Sequence, residues 1–403
     1  MKYEFDHAAD HRYDTSYRWQ QPAGLSDVIG MGTADLDYDC APCVREALVP
    51  IAQENCYNYR QKTERYYQAV TNWYEKRYGL RVKQTWLSNV PSTIGAVRMA
   101  LGIMTKPGDH VLVQTPCFGP LSRCIEGADC RQLDNPMRIV NGRYELDFED
   151  FEEKLRLYHP AAFLLVNPHN PTCRVFTKTE LERLVSLCAA YHVRIVSDEV
   201  HSLILYDGAV HTPILAVSAA AQDLAIQVVS LSKGYNIMSL PHAIVTVPND
   251  ALRAAWNKQI AAFSFDYAVN AFALAAVTAI MEGQADEWMQ ELTEYLQKNR
   301  DELMQFFQQE HIPMDAFQPE SSFLMWVDCR RLGVPAGELG HFFGDKAHIS
   351  LDDGTEFGTA GSGFIRINFA VTHAVLTEAI KRMETTTAEI KKFHGSAAVN
   401  SHS

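Results

Sequence analysis

Residues 161–201, AAFLLVNPHNPTCRVFTKTELERLVSLCAAYHVRIVSDEVH, decide the fold. An apolar run at Ala161–Val166 leads into a proline-rich turn, a helical pattern over Lys178–Tyr191, and a second apolar run at Val193–Ser197. Short runs that stay apolar without alternation are what strands covered on both faces require. Two such strands joined by a helix make a crossover unit, and therefore a parallel sheet.

The same rhythm extends in both directions. Upstream lie a helical stretch at Thr93–Met104, the turn Pro107-Gly108-Asp109, a strand at His110–Thr115 and a helical stretch at Asp147–Leu157. Downstream come strands at Leu224–Ser230 and His242–Val247. From about residue 85 to 250 the chain therefore reads as one α/β layer structure. Beyond it the rhythm changes. A long helical stretch over 270–309 breaks at Gly283, strands follow at Ser322–Asp328 and Gly363–Ala370, and a last helix runs over 372–392. That order predicts a smaller α+β domain. The expected division is an N-terminal segment, 1–45, that joins the small domain, a large domain over 46–284, the small domain over 285–393, and a frayed tail, 394–403.

Composition narrows the function classes. With 403 residues and 47% hydrophobic content the chain can bury a large core, and its formal charge of −13 argues against a nucleic-acid or anionic-membrane surface. No apolar run nears the length needed to span a bilayer, and MKYEFDHAADHRYD at the start lacks the apolar core of a secretory signal. A cytoplasmic protein is expected. The nine cysteines are scattered; Cys40 and Cys43 have redox-type spacing, but a loop-like flank and no second ligand pair leave no case for redox or zinc chemistry.

Three loops carry the chemistry: Asn167-Pro-His-Asn-Pro-Thr172, Ser197-Asp-Glu-Val-His201 and Ser230-Leu-Ser-Lys-Gly234. Each follows a proposed strand, and in an open parallel sheet ligands bind beyond the carboxyl ends of strands. A lysine in a partly desolvated pocket can form a Schiff base with an aldehyde. An acid opposite a pyridine nitrogen keeps that nitrogen protonated, and an amide can donate to a ring phenolate. Ser230 and Ser232, with Ser92 and Thr93 at a helix start, can supply hydroxyls and backbone N–H groups to a phosphate. Taken singly, each motif is better explained as a solvated lysine, a helix cap or a rigid turn. Their order, each at a strand end, points to pyridoxal 5'-phosphate (PLP).

With these motifs the chain resembles fold-type I PLP enzymes, and within them the cystathionine β-lyase (C–S lyase) group of the class I/II aminotransferase superfamily. ThrAlaAspLeuAsp at 33–37, ProGlyAspHisValLeuValGlnThrPro at 107–116, SerLysGlyTyrAsnIle at 232–237, AspAspGlyThrGluPheGly at 352–358 and GlySerGlyPheIleArgIleAsn at 361–368 extend the likeness over nearly the whole chain. The resemblance implies a large domain with a mostly parallel seven-stranded sheet and a smaller α+β domain. It makes Lys233 the Schiff-base and catalytic lysine and pairs Asp198 with the ring nitrogen. Asn170 falls on the phenolic oxygen, with His201 as helper, and Phe118 stacks on the ring where the family has a tyrosine. Ser92, Thr93, Ser230 and Ser232 fall at the phosphate. Tyr59 matches a tyrosine reaching the phosphate from a neighbouring subunit, which implies a homodimer with shared sites. Arg366 grips the substrate carboxylate, and Asp35 lies on the substrate side. No metal is implied.

The implied reaction is β-elimination from L-cystathionine or a related L-cysteine thioether, giving thiol, pyruvate and ammonia. Transamination shares its first steps, so an aminotransferase is the alternative; a PLP-binding regulatory protein with little turnover is a third reading. For Arg366 the residues alone also allow a buried structural ion pair. Two local expectations follow. Cys173 replaces the family's glycine after the Asn-Pro-His-Asn-Pro-Thr loop, and a cysteine tolerates positive φ poorly, so that turn is expected to be reshaped. GlyThrAlaGlySerGly at 358–363 is expected to be a flexible loop near the site.

Overall fold

The computed structural model describes residues 2–7, 16–20, 27–267 and 269–399, the last eleven of these by backbone alone. Its centre is a seven-stranded sheet. In chain order the strands are β1 (Leu87–Val90), β2 (His110–Thr115), β3 (Arg131–Pro136), β4 (Ala162–Val166), β5 (Arg194–Asp198), β6 (Ala225–Val229) and β7 (Ala243–Thr246). Their spatial order is β1-β7-β6-β5-β4-β2-β3. All pairings are parallel except the two made by β7, which runs antiparallel to both β1 and β6.

Side-chain alternation divides the core in two. Ala162, Leu164 and Val166 of β4 join Val196, Ile226, Val228 and Val245 in the cluster on one face. Phe163 and Leu165 join Leu112, Ile195 and Ile244 in the larger cluster on the other. Period-two alternation with apolar residues on both sides explains why these strands read as unbroken apolar runs. The helices covering the sheet begin where the sequence provides caps. Ser92 accepts a hydrogen bond from the Gly95 N–H at the head of Thr93–Met104, and Thr177 and Glu180 form a capping box at the head of Lys178–Ala190.

The four crossover strands named from sequence and the antiparallel β7 occur within a residue or two of their expected ends. Strands β1 and β3 were not expected. β1 (LSNV) is half polar and β3 (RQLDNP) carries two charges, so neither has the apolar signature. Both lie at sheet edges, where one side faces less core.

The C-terminal part adds a second, four-stranded antiparallel sheet in which Asp315–Ala316, Leu324–Asp328, Phe364–Asn368 and Asp352–Asp353 lie in that order. The long helical stretch breaks where glycine demanded it: Ala271–Ala279 and Asp286–Phe307 are separated by a wider turn in which Gly283 has φ of 88°. Near the chain start, Ile29–Gly30 pairs in parallel with Ile349–Ser350, so the N-terminal segment is tied to the C-terminal part. The last helix, His373–Val399, runs past the expected end near 392 and into the stretch expected to fray; residues 400–403 of that tail, like 8–15 and 21–26 of the N-terminal segment, lie outside the described residues. No helix among the described residues is long and apolar enough to cross a membrane, and no group of residues there is suited to hold a metal.

Candidate functional site

Strands β4, β5 and β6 end side by side, and the three motif loops leave from those ends. β5 passes directly into Asp198 and β6 into Ser230, while Asn167 donates its backbone N–H to the Asp198 carbonyl at 3.0 Å. Lys233 sits in the single-turn helix Ser232–Tyr235, and its Nζ donates to the Ala34 carbonyl at 2.5 Å. Burial lowers this lysine from 10.5 to about 8; nearby Arg366 pushes the same way, and Asp35, Asp198 and Asp352 pull against both. An amine that is partly neutral near pH 8 is a nucleophile toward an aldehyde.

Asp198 is 4% exposed and accepts a hydrogen bond from the Val200 N–H at 3.2 Å. Burial pushes its carboxyl up to about 6, and the adjacent Glu199 adds to this. A buried carboxyl of this kind calls for a cationic partner. Asn170 is also buried, and its Oδ1 accepts from Arg366 Nη1 at 2.9 Å, which leaves Nδ2 as the amide's donor. Arg366 meets Asp352 through Nε at 2.9 Å and through Nη2, across the strand pair that sets the two residues opposite one another. Its guanidinium carbon lies 4.8 Å from the centre of the Phe357 ring and 5.7 Å from that of Phe118. The structural ion pair foreseen for Arg366 therefore exists, yet the same guanidinium also reaches Asn170.

His201 donates or accepts through Nδ1 at Ser322 Oγ, 2.8 Å away, so its hydrogen bond among the described residues goes to Ser322 and not to Asn170. Burial, aided by Lys233 and Arg366, drops its pKa to about 3, so the ring is neutral. Asp35 takes a hydrogen bond from Arg18 at 3.2 Å, and burial raises its carboxyl pKa against the pull of Arg18 and Lys233. Ser230 Oγ lies 2.9 Å from the His242 carbonyl and accepts from the Ser232 N–H at 3.2 Å. Ser92 and Thr93 stand at the head of their helix, directly after β1. Tyr59 is 87% exposed on an irregular segment and is not among the residues brought together within one chain.

Two local expectations are overturned. The turn at Cys173 is not reshaped: the residue holds φ of 54°, the conformation a glycine would take. It is enclosed and tied down, with its N–H on the His169 carbonyl at 2.7 Å, its own carbonyl accepting from Glu320 N–H and Ser321 Oγ, and its sulfur 3.1 Å from the Leu324 carbonyl. These ties offset the roughly 1–2 kcal/mol that a Cβ costs in the left-handed region. Nor is 358–363 a loose loop. It makes a tight turn at Thr359–Gly361, packed so closely that a Cβ on Gly354 would fall 2.0 Å from the Gly361 carbonyl oxygen.

Residues with no role in the sequence reading hold the 33–38 segment over the lysine. Asn236 Nδ2 donates to the Leu36 and Tyr38 carbonyls, Asn368 Nδ2 to those of Thr33 and Asp35, and Arg18 to those of Gly30, Asp35 and Ala370. Both asparagines stand inside quoted motifs, at the ends of SerLysGlyTyrAsn and GlyPheIleArgIleAsn, which was the available signal.

The donor set fits PLP on its own terms: a lysine of lowered pKa, a buried carboxyl that makes no ion pair among the described residues, an oriented amide and an aromatic ring. The family model for aminotransferase class I and II matches residues 26–383. The chain belongs to that family. It is 30% identical to the cystathionine beta-lyase PatB of Bacillus subtilis (strain 168), over 94% of this chain and 98% of that one. Among solved structures, PLP-containing cystalysin from Treponema denticola superimposes with a TM-score of 0.92 at 26% identity, covering 97% of this chain and all of that one. The PLP-bound C–S lyase of Staphylococcus hominis gives 0.89 at 27%, covering 96% and 98%. The architecture is thus the α/β fold of these PLP enzymes, with its mostly parallel central sheet.

Proposed function

We propose that this protein is a PLP-dependent C–S β-lyase that acts on L-cystathionine or a related L-cysteine thioether. The observation that carries the reading is the convergence of Lys233, Asp198, Asn170 and Arg366 beyond the ends of β4–β6, where Arg366 bonds Asn170 and both Arg366 and Asp198 act on Lys233. The lyase relatives named above, each aligned over most of the chain, support the reaction class. When bound, the cofactor supplies an aldehyde for the substrate amine and a ring that takes up the electrons released at Cα.

The chain's residues do the rest. Lys233, freed by the incoming amine, takes the Cα proton as general base. Its lowered pKa suits it to both states. Asp198 would hold the ring nitrogen, Asn170 Nδ2 would donate to the ring oxygen, and Phe118 would pack on the ring with His201 as helper. Ser92, Thr93, Ser230 and Ser232 would take the phosphate. Arg366 receives the α-carboxylate through its end-on N–H groups, since Asp352 already holds the Nε side, and Asp35 borders the substrate. Departure of the β-thiolate with its proton, followed by hydrolysis, converts cystathionine and water into a thiol, pyruvate and ammonia.

The wider reading is a homodimer in which Tyr59 of each subunit reaches the partner's phosphate site, consistent with its exposure. It also includes a cytoplasmic location, no nucleic-acid partner, and a division into 1–45, 46–284, 285–393 and a tail. The test is a spectrum of the purified protein with PLP, in which a visible band lost in Lys233→Ala is expected, followed by L-cystathionine without any 2-oxo acid. Sustained pyruvate release is expected. A band with no pyruvate until a 2-oxo acid is added would replace the lyase reading with an aminotransferase.

A further inference from the structure

Directly after Asp198 comes a second carboxylate that the mechanism above does not use. Glu199 shares its side of the strand end with Ser197, whose Oγ donates to Glu199 Oε1 at 2.9 Å, while Asp198 leaves the other side. The Ile214 N–H also reaches Oε1 at 2.9 Å, and Oε2 accepts from Gln227 Nε2 at 2.7 Å and from His211 Nε2 at 3.0 Å. Glu199 and His211 side chains are each 1% exposed. Two tyrosines of the helix Glu64–Tyr78 close the chamber: Tyr74 donates to Gln227 Oε1 at 3.2 Å, and the Tyr78 ring stands edge-on to His211 at 5.8 Å.

His211 Nδ1 is buried and has no hydrogen-bond partner. The contact of Nε2 with Glu199 is therefore the hydrogen bond that fixes this ring. The other donors to Glu199 are a hydroxyl, a backbone N–H and a side-chain amide, and no lysine or arginine among the described residues pairs with it. The carboxyl of Glu199 is thus held by four hydrogen-bond partners one residue from Asp198, and it helps to push the Asp198 carboxyl up.

We propose that Glu199, fixed by His211 and Gln227, is a positioning residue for the cofactor: it anchors the strand end that aims Asp198 and adds to the negative potential that keeps a proton on the ring nitrogen. The proposal rests on the PLP reading of the site. Its field is also felt by Asp198, whose carboxyl burial and Glu199 together push up, and a bound pyridinium offsets both effects.

The test compares the wild type with Glu199→Gln, and with a double variant, Glu199→Gln with His211→Glu, that returns a carboxylate to the same chamber. PLP is titrated into each apoprotein, and its affinity and the pH titration of the visible band are read. Glu199→Gln is expected to weaken PLP binding by about tenfold, on the order of the effect of removing one charge from the surroundings of a cationic ring, and to shift the band's titration. The double variant is expected to recover both. Wild-type affinity and an unmoved band in Glu199→Gln, or a fall in apoprotein melting temperature alone, would make Glu199 merely structural and overturn the proposal. Should Glu199→Gln not fold, the double variant decides: a wild-type band titration supports the charge role, and a shifted one rejects it. A wild type that binds no PLP at all would instead overturn the cofactor reading, and it is recognised by the absence of a band in every protein tested.

Discussion

Replacing Lys233 with methionine should make the cofactor-free protein more stable. The lysine is held at about 8 instead of 10.5, chiefly by burial. A displacement of that size corresponds to roughly 3 kcal/mol, and because the side chain keeps some contact with solvent the effective figure is about 2 kcal/mol. Methionine has nearly the same volume but leaves the Ala34 carbonyl, which now accepts from Nζ, without its donor. That loss takes back about 1 kcal/mol. Lys233→Met is therefore expected to gain about 1 kcal/mol at pH 7.

The pH dependence identifies the cause. Below about pH 8 the lysine is charged in both folded and unfolded chains, so the folded state carries the whole desolvation cost. Between about 8 and 10.5 the folded state has released its proton and the unfolded chain has not, so wild-type stability rises with pH. The advantage of Lys233→Met should consequently be complete at pH 7 and should fade and reverse by pH 10.5, where only the lost hydrogen bond remains. Urea unfolding of both apoproteins at pH 7 and pH 10, followed by circular dichroism, measures it. A variant less stable than wild type at pH 7, or an advantage unchanged at pH 10, would refute the claim that the lysine sits in a desolvated pocket.

Arg366→Leu is expected to raise KM for the amino-acid substrate by about tenfold to a hundredfold, the worth of a charge-assisted pair, with a smaller effect on kcat; steady-state kinetics read the split. Thiol labelling of the native protein should modify Cys56, which is exposed, promptly, and should spare Cys173, whose buried thiol is pushed up to about 12; early labelling of Cys173 in a peptide map contradicts this. At position 173 itself, Gly should be more stable than Ala by about 1 kcal/mol, the reverse of the usual order, because φ is 54°; equal urea midpoints would count against the strained turn. Gly354→Ala should destabilise the protein by at least about 3 kcal/mol, since its Cβ would overlap the Gly361 carbonyl, and thermal melting checks it.

What was legible in the sequence follows the physics of each element. Strands β2, β4, β5, β6 and β7 are buried on both faces, and burial on both faces writes an apolar run that needs no structural context to read. β1 and β3 border the sheet and are half polar, so their strand character comes from pairing partners far away in the chain. The residues of the site named by motif do meet: Lys233, Asp198 and Asn170 stand at the ends of the central strands as the strand-end rule requires, and Arg366 joins them from within a strand of the second sheet. Their supports were not legible. Asp352 reaches Arg366 by cross-strand register, and Arg18 reaches the 30–35 segment by folding of the N-terminal part, neither of which spacing reveals. The turn at Cys173 failed for a related reason: backbone propensity spoke against positive φ, and the tertiary hydrogen bonds that hold the turn are invisible locally.

Those supports explain why the crevice can be organised before any ligand enters. Left alone, a lysine at about 8, a carboxyl at about 6 and a buried guanidinium are each unfavourable, and each would relax toward solvent if its loop were free. The loops are not free. Asn236 and Asn368 clamp the segment whose Ala34 carbonyl receives Lys233, while Asp352 and Asn170 hold Arg366 from two sides. Glu199 pins the strand end that carries Asp198. Each functional group is thus fixed by a neighbour whose own hydrogen bonds run to the backbone or across a strand pair, so binding a cationic ring and an amino-acid carboxylate relieves stored electrostatic cost instead of having to create order. It follows that weakening a clamp should hurt function more than stability. Asn236→Ala, which removes two donors to the Leu36 and Tyr38 carbonyls, is expected to lower kcat/KM at least tenfold while shifting the melting temperature of the holoenzyme by only a few degrees; a large loss of stability with kcat/KM preserved would show that the clamp serves the fold and not the site.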